Sequence, residues 1–280
     1  MINACLTFDV DAETPILDES GLYARNAGVM SHQAYGPLVG VPRILELLRE
    51  DSLPATFFVP GWTADRYPQT IEAILADAHE VAHHSYAHAS PFAQTEVEER
   101  AVFVRALETL RRAGAEVEGF RAPNWEPGWR TPAIVAEHGL AYDSSLMDSD
   151  KPYVLDTGAG EIVELPVHWA LDDWEQYAYI PDPPFRSAIE SPAKVLDLWG
   201  GELEALADEG GLMMHTSHPF LSGRPSRVVT LQRVVERARE LGGVWIAPAG
   251  EIAAHARTAI AAADARPVPI VQLEEDVYGG

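Results

Sequence analysis

Short apolar segments alternate with longer helix-forming segments along most of this chain of 280 residues. The segments expected to form strands cover residues 4–10, 55–59, 80–83, 118–121, 161–168, 211–215 and 243–247. Those expected to form helices cover residues 41–50, 63–76, 94–113, 132–138, 192–209, 230–241 and 248–263. The alternation is typical of an α/β protein with a mainly parallel sheet or barrel and helices outside it. Because no linker divides the pattern, we expect one domain over residues 1–265 and a C-terminal tail over residues 266–280.

Two aspartates, Asp9 and Asp11, come at the end of the first apolar segment. Residues i and i+2 of a strand face the same side, so the two carboxylates are expected to converge. Neighbouring carboxylates raise the pKa of one member strongly unless a cation lies between them. A divalent metal would remove that conflict. The alternative interpretation of this segment is a polar turn that closes the strand.

A histidine pair, His84 and His88, is the second chemical signal. Side chains four residues apart share one face of a helical turn and can bind a single ion. The glutamate that follows the first histidine in zincin proteases is absent, which excludes that class of protease. An isolated pair is more often solvated or part of a core, but His79 and His83 lie close by and the aspartates lie upstream. We interpret His79 and His83 as structural or supporting residues.

Reactive side chains recur where the predicted strands end. They are Asp9 and Asp11 after the first strand, His84 and His88 after the third, Arg121 at the end of the fourth, and His215 and His218 at the end of the sixth. In parallel α/β proteins, ligands and catalytic groups collect at the carboxyl ends of strands. This placement predicts a single shared site.

Charge and composition limit the kinds of partner. The chain has 43 Asp and Glu against 20 Lys and Arg, a formal net charge of −23, which argues against binding to nucleic acid or anionic membranes. No apolar run approaches the roughly 18 residues of a membrane span, and no secretory signal precedes the first strand. The single cysteine, Cys5, cannot form an internal disulfide. We therefore expect a cytoplasmic protein.

Taken in order, these motifs resemble those of the polysaccharide deacetylase superfamily, the NodB-homology domains of carbohydrate esterase family 4. The matching segments are Thr7-Phe8-Asp9 with Asp11, His84 through His88, Arg121-Ala122-Pro123 and His218-Pro219. The resemblance runs over about residues 3–254, nearly the whole chain. It implies a distorted (β/α) barrel with fewer than eight repeats, in agreement with about seven parallel strands. It also implies hydrolysis of an amide C–N bond at a His-His-Asp metal site.

The resemblance implies a metal held by Asp11, His84 and His88. Zinc is the metal that the family usually carries. The same donor set also suits cobalt, nickel, manganese or iron, so another divalent transition metal stays open.

The resemblance also implies catalytic roles. Asp9 would be the general base, Arg121 would fix Asp9, and His218 would be the general acid. His215 competes with His218 for the acid role. We expect Asn124 and Trp125 to bind substrate, with a backbone N–H near Asn124 holding the oxyanion.

The chain also departs from the secreted carbohydrate deacetylases. Val10 separates the two aspartates, and Asn124 follows Pro123 where an aromatic residue is usual. Residues 143–147 and 165–169 resemble the intracellular branch, which contains cyclic imide hydrolases, allantoinase-like enzymes and a peptidoglycan-deacetylase-like protein. The favoured activity is therefore ring opening of a small cyclic imide or related amide by metal-activated water.

Two alternatives stay open. The first is N-deacetylation of an acetylated carbohydrate or cell-wall fragment, and the second is a non-catalytic metal-binding scaffold. The expected partners are a small imide or amide, or an acetylated sugar, without nucleic acid or membrane. We also expect a homo-oligomer, in which a long loop over residues 14–40 covers the site of a neighbouring copy.

Overall fold

The computed structural model describes residues 2–181, 184–185 and 189–268. Its strands are β1 (Ile2–Asp9), β2 (Thr56–Val59), β3 (Glu80–His83), β4 (Gly119–Phe120), β5 (Tyr142–Asp143), β6 (Tyr153–Asp156), β7 (Glu161–Glu164), β8 (Ile180–Pro181), β9 (Pro184–Phe185), β10 (Leu212–Ser217), β11 (Val244–Ile246) and β12 (Arg266–Pro267). Its α-helices are α1 (Thr14–Glu19), α2 (Ala27–Tyr35), α3 (Val41–Glu50), α4 (Gly61–Arg66), α5 (Pro68–Ala76), α6 (Glu96–Arg112), α7 (Thr131–Glu137), α8 (Trp174–Tyr177), α9 (Pro192–Glu209), α10 (Pro219–Ser222), α11 (Pro225–Leu241) and α12 (Ala249–Ala259). Short 3₁₀ helices cover Gly21–Arg25, Pro91–Ala93, Pro123–Trp125, Trp169–Leu171 and Ala262–Asp264, and a π-helical turn covers Gly36–Gly40.

Seven strands run parallel side by side in the order β10-β1-β2-β3-β4-β5-β7. β11 also pairs with the first residues of β1, while β6 is antiparallel to β7. After β7, the Leu165 N–H donates to the Asp143 carbonyl, and Asp172 forms an isolated parallel bridge with Thr216 of β10. This segment links the last parallel strand back to β10. The predicted α/β fold, a distorted barrel with about seven parallel strands, is confirmed.

Apolar side chains cover both faces of the sheet, as expected for parallel strands. Every residue of β2 is buried, including Phe57 towards the outer helices and Phe58 in the barrel interior. Helix α12 lies against the amino-terminal end of the barrel. There the Ala249 N–H donates to Thr56 Oγ1 (2.8 Å) and the Gly250 N–H to Glu80 Oε2 (3.0 Å). Helix α12 therefore closes one end of the barrel. The opposite end, formed by the carboxyl ends of the strands, is the end available for a functional site.

Three expectations about elements are wrong. The predicted loop over residues 14–40 is helical and includes α1 and α2. The helix predicted over residues 63–76 is divided into α4 and α5 at Tyr67, because a proline at position 68 disfavours helical dihedrals in the residue before it. The strand predicted to reach residue 168 ends at Glu164, and the hairpin partner β6 was not expected.

The predicted tail over residues 266–280 begins with β12, which pairs with β6. Residues 269–280 of that tail lie outside the described residues. None of the helices in the described part of the chain combines the length and apolar character needed to cross a lipid bilayer.

Candidate active site

A buried cluster of one carboxylate and two imidazoles lies at the carboxyl ends of β1 and β3. Asp11 Oδ1 is 3.4 Å from His84 Nε2, and Asp11 Oδ2 is 3.4 Å from His88 Nε2. Within the described residues, both oxygens of the Asp11 carboxylate are buried without a hydrogen-bond donor. A buried carboxylate without donors is costly, and a divalent cation is the partner that would satisfy it. The three ligand atoms lie within 4.8 Å of one another, so they can reach one ion.

The tautomer of His84 suits metal binding. Its Nδ1 lies 2.8 Å from the backbone carbonyl of Arg121. A carbonyl only accepts, so Nδ1 carries the proton and the Nε2 lone pair of the neutral ring faces Asp11. Burial lowers the pKa of His84, which keeps the ring neutral. Burial alone would raise the pKa of the Asp11 carboxyl, but the charge and the hydrogen bond of the His88 imidazole bring it below its usual value. This donor set fits a divalent metal.

The expected helical turn between the two histidines is wrong. Residues 84–88 form a non-helical turn after β3, in which Ser85 (φ 59°) and His88 (φ 65°) adopt left-handed backbone dihedrals. The turn brings the rings of His84 and His88 to 5.1 Å between centroids. Non-glycine residues in this region cost on the order of 1–3 kcal/mol each and are frequent at functional sites. His83 lies outside the cluster, with Nε2 2.9 Å from the Phe103 carbonyl.

Asp9 is held by a buried guanidinium. Arg121 Nη1 donates to Asp9 Oδ1 (2.7 Å) and to Thr7 Oγ1 (2.9 Å), and Nη2 donates to Ser144 Oγ (3.1 Å). The guanidinium also lies 3.9 Å from the centroid of the Phe58 ring. These contacts fix one oxygen of Asp9 and leave the other, Oδ2, 3.9 Å from His84 Nε2 and so beside the metal cluster.

His218 faces the same cluster from the end of β10. Its Nε2 is 3.5 Å from Asp11 Oδ2. On the other side of the ring, Nδ1 donates to Asp173 Oδ1 (2.7 Å), which also accepts the His218 backbone N–H (2.9 Å). Burial alone would lower the pKa of His218, but the carboxylates of Asp172 and Asp173 raise it well above its usual range. The geometry therefore presents a protonated imidazole to the cavity.

His215, the competing candidate for the acid, lies within β10 and does not line the cavity. Its ring packs edge-on against Trp199 at 4.3 Å between centroids, and burial lowers its pKa to about 4. The structure therefore brings His218, and not His215, to the other predicted site residues. Sequence reasoning assigned no role to Asp172 or Asp173. The only signal was the pair of adjacent carboxylates before Trp174.

The cluster forms the floor of a cavity of about 200 Å³. Trp125 and Trp169, whose ring centroids are 4.7 Å apart, line the cavity together with Trp174. Asn124 lies at the exposed edge, where its Nδ2 donates to Ser90 Oγ (3.0 Å). Asn124 and Trp125 thus lie in the cavity wall, and the structure adds two tryptophans to them. An aromatic wall above a polar floor suits a small polar ring or an acylated sugar.

Known proteins are similar to this chain in sequence and fold over most of its length. The polysaccharide deacetylase family model matches residues 35–142. A solved structure of a Mycobacterium smegmatis protein assigned to the polysaccharide deacetylases is 47% identical, covers 97% of this chain and 94% of that one, and has a TM-score of 0.91. The peptidoglycan deacetylase of Helicobacter pylori is 28% identical over 236 residues, 74% of this chain and 80% of the relative. The structure of an allantoinase, 24% identical, covers 92% of this chain and 90% of that one with a TM-score of 0.79, and so shares the fold.

Proposed function

Because this chain belongs to the polysaccharide deacetylase family, a family of metal-dependent amide hydrolases, we propose that it removes the acetyl group from an N-acetylated amino sugar in a carbohydrate or cell-wall fragment. The observation that carries the proposal is the placement of Asp9 and His218 in one cavity with the Asp11, His84 and His88 cluster. A proton acceptor and a proton donor thus lie beside the same three metal ligands. Amide hydrolysis needs both, because a proton leaves the attacking water and another reaches the departing nitrogen.

Asp11, His84 and His88 would hold the divalent metal, for which we propose zinc. When bound, such an ion polarises the amide carbonyl and lowers the pKa of water towards neutrality. Asp9 accepts the proton of the attacking water. Arg121 holds Asp9 Oδ1 and leaves Oδ2 pointing towards the reacting atoms.

His218 donates a proton to the departing nitrogen, which is otherwise a poor leaving group. Asp173 accepts from Nδ1 and thereby directs the Nε2–H into the cavity. The raised pKa of His218 keeps the imidazole protonated at neutral pH until the C–N bond breaks. Asp9 and His218 thus divide the roles of base and acid.

Trp125, Trp169 and Trp174 would pack against the ring of the sugar, and Asn124 would contact a polar group at the mouth. The names of the M. smegmatis and H. pylori relatives support a carbohydrate over other amides. Sequence reasoning alone favoured the cyclic imide, so the relatives reverse that order.

A small cyclic imide is the second candidate. The observation that favours it is the size of the cavity, about 200 Å³, with buried side chains at the floor. A ring of this class fits such a space entirely, whereas a longer sugar chain needs room beyond it. We do not propose the non-catalytic scaffold, since the residues proposed as ligands, base and acid all line one cavity.

The test compares both substrate classes on zinc-loaded protein. Acetate release from N-acetylglucosamine oligomers is measured beside ring opening of succinimide, phthalimide and dihydrouracil. Acetate release that is lost with a chelator and in His84→Ala, and kept in the exposed control His255→Ala, supports the proposal. Ring opening without acetate release moves the protein to the second candidate. Inactivity on both panels with zinc bound would contradict both.

The expected homo-oligomer and the cytoplasmic location stay predictions. Light scattering coupled to gel filtration measures the first, and cell fractionation with an antibody measures the second.

A further inference from the structure

A second cavity, of about 600 Å³, lies beside α2, α8 and the start of α11. The ring of Phe220 lies between it and the catalytic cavity. That ring contacts His32 of the second cavity at 5.3 Å and Trp174 of the catalytic cavity at 5.8 Å, both between centroids. We call the second one the arginine cavity, and its lining includes His32, Gln33, Tyr177, Arg224, Ser226 and Arg227.

Two half-buried arginines of this cavity, Arg224 and Arg227, form no ion pair with a described residue. The guanidinium of Arg224 stacks on Tyr35 and that of Arg227 on Tyr177, at 3.6 and 4.0 Å from the ring centroids. Each also donates to one backbone carbonyl, Arg224 to Phe220 and Arg227 to Leu221. In the described part of the chain, no carboxylate oxygen lies within 4.0 Å of either guanidinium, and Asp173 acts on Arg227 only from beyond that distance. Since a guanidinium has five N–H donors, most of them stay available.

The lack of an ion pair at Arg224 and Arg227 among the described residues is unexpected in so acidic a chain. Acidic side chains outnumber basic ones 43 to 20, and other arginines such as Arg49, Arg100 and Arg237 form ion pairs. Arg224 and Arg227 are instead positioned by aromatic rings and carbonyls, which orient a guanidinium without neutralising it. An anion from solution would complete the arrangement.

Gln33 supplies an independent observation. Only 1% of this residue is exposed, and its Oε1 has no hydrogen-bond partner among the described residues. Gln33 lines the arginine cavity. A buried amide is left unsatisfied only at a free-energy cost of roughly 1–3 kcal/mol, so its presence here indicates a ligand that bonds to it.

The electrostatic environment of the arginine cavity also favours a bound anion. Burial, followed by the charges of Arg224 and Arg227, lowers the pKa of His32. The cavity also lies at the amino terminus of α11, a helix of 17 residues, where the helix dipole favours negative charge. The charges of the two arginines and the helix dipole each contribute a positive potential inside the cavity.

We propose that the arginine cavity binds a small molecule that carries an oxyanion, either a carboxylate or a phosphate. Arg224 and Arg227 are its ionic partners, because the planar guanidinium matches both kinds of oxyanion with paired hydrogen bonds. Gln33 bonds to a hydroxyl or amide group of the same molecule. This site is separate from the catalytic cavity, and it does not depend on which amide the enzyme hydrolyses.

Titration calorimetry on the zinc-loaded full chain at low ionic strength tests the proposal with inorganic phosphate and with succinate. We expect at least one of them to bind, and Arg224→Gln or Arg227→Gln to weaken its Kd by about 10- to 100-fold. Arg233→Gln, an exposed position of the same helix, is the matched control and should leave Kd unchanged. The anion that binds more tightly identifies the oxyanion class.

Gln33→Glu is a second variant, which puts a carboxylate into the cavity while both arginines remain. We expect it to abolish anion binding and to leave amide hydrolysis unchanged. Equal binding in the wild type and all three cavity variants would assign the anion to the catalytic metal and overturn the proposal. Absence of binding by both anions at millimolar concentration in the wild type would overturn it as well.

Discussion

The Nδ1 atom of His84 donates to the backbone carbonyl of Arg121 over 2.8 Å, while the guanidinium of the same arginine holds Asp9 over 2.7 Å. One residue therefore sets the tautomer of a metal ligand through its backbone and the position of the base through its side chain. A substitution of Arg121 changes its side-chain contact with Asp9 but keeps its backbone carbonyl. The two contributions can therefore be measured separately.

Arg121→Lys tests the side-chain contribution. Lysine keeps the charge but cannot reach Asp9, Thr7 and Ser144 together, since an ammonium has no planar fork. We expect kcat/KM to fall about 10- to 100-fold with metal content unchanged, as for other residues that orient a catalytic group. Steady-state kinetics and metal analysis measure both quantities. Arg49→Lys, at an exposed ion pair with Asp77, is the control.

Asp9→Asn removes the base and preserves the shape of the side chain. The expected loss of kcat is about 10²- to 10⁴-fold, the contribution of a positioned acid or base. Zinc stoichiometry should stay at the wild-type value because Asp11, His84 and His88 are untouched. Full activity in a variant that retains zinc would show that another group accepts the proton.

Asp173→Asn tests the proposed general acid, His218, by removing a carboxylate that its Nδ1 contacts. Asp172 and Asp173 raise the pKa of His218, so removal of one carboxylate lowers that pKa. A general acid works only while protonated, so the alkaline limb of the pH profile of kcat/KM should move to lower pH by about one unit. We also expect kcat to fall about 10- to 100-fold. An unchanged alkaline limb, equal to that of the exposed control Asp197→Asn, would contradict the acid assignment.

Asp11→Asn tests the metal cluster by stability instead of turnover. Zinc at about 100 times its Kd stabilises a protein that binds it only when folded by about 2.7 kcal/mol, so a chelator should lower the Tm of the wild type by several degrees. In the variant, which lacks the carboxylate charge, the Tm should respond little to zinc or to the chelator. Scanning fluorimetry measures this, and an equal zinc-dependent rise in both proteins would place the ion elsewhere.

Asp143→Asn tests a buried carboxyl pair behind the site. Asp143 of β5 and Glu164 of β7 are fully buried, and Asp143 Oδ2 and Glu164 Oε2 have no donor among the described residues. Burial raises the pKa of Asp143 to about 7. A carboxyl whose pKa is raised in the folded state stabilises that state. The stabilisation is complete when the pH lies below the pKa of the unfolded state, and it is lost as the pH rises through about 7.

The Tm of the wild type should therefore decline between mildly acidic pH and pH 8 more than that of Asp143→Asn. We expect the difference in Tm between Asp143→Asn and the wild type to be about 2–4 °C more favourable to the variant at pH 8 than at mildly acidic pH. Thermal unfolding across this range measures the difference, with exposed Asp208→Asn as the control. Parallel curves for the wild type and Asp143→Asn would show that Asp143 does not titrate in this range.

Local patterns in the chain were sufficient for much of the fold. The bounds of β3, α3 and α9 agree with those predicted, because apolar periodicity and helix-breaking residues act within a few neighbours. The helical content of residues 14–40 was missed, since that segment has little apolar periodicity. The prediction of a helical turn between His84 and His88 was also wrong, because residue spacing carries no information about the left-handed dihedrals of Ser85 and His88.

The sequence by itself determined that carboxylates, imidazoles and an arginine lie at the ends of several strands of one barrel. Only the tertiary structure decided which of them meet. Asp173 reaches His218 across 45 residues of chain and Arg121 reaches Asp9 across 112, and both contacts exist only once the seven parallel strands curve into a barrel. The choice of His218 over His215 was decided in the same way, because His218, just after β10, faces the cavity and His215, within β10, does not. Spacing along a chain constrains residues within one element, whereas distances between elements are set by how the whole sheet packs and curves.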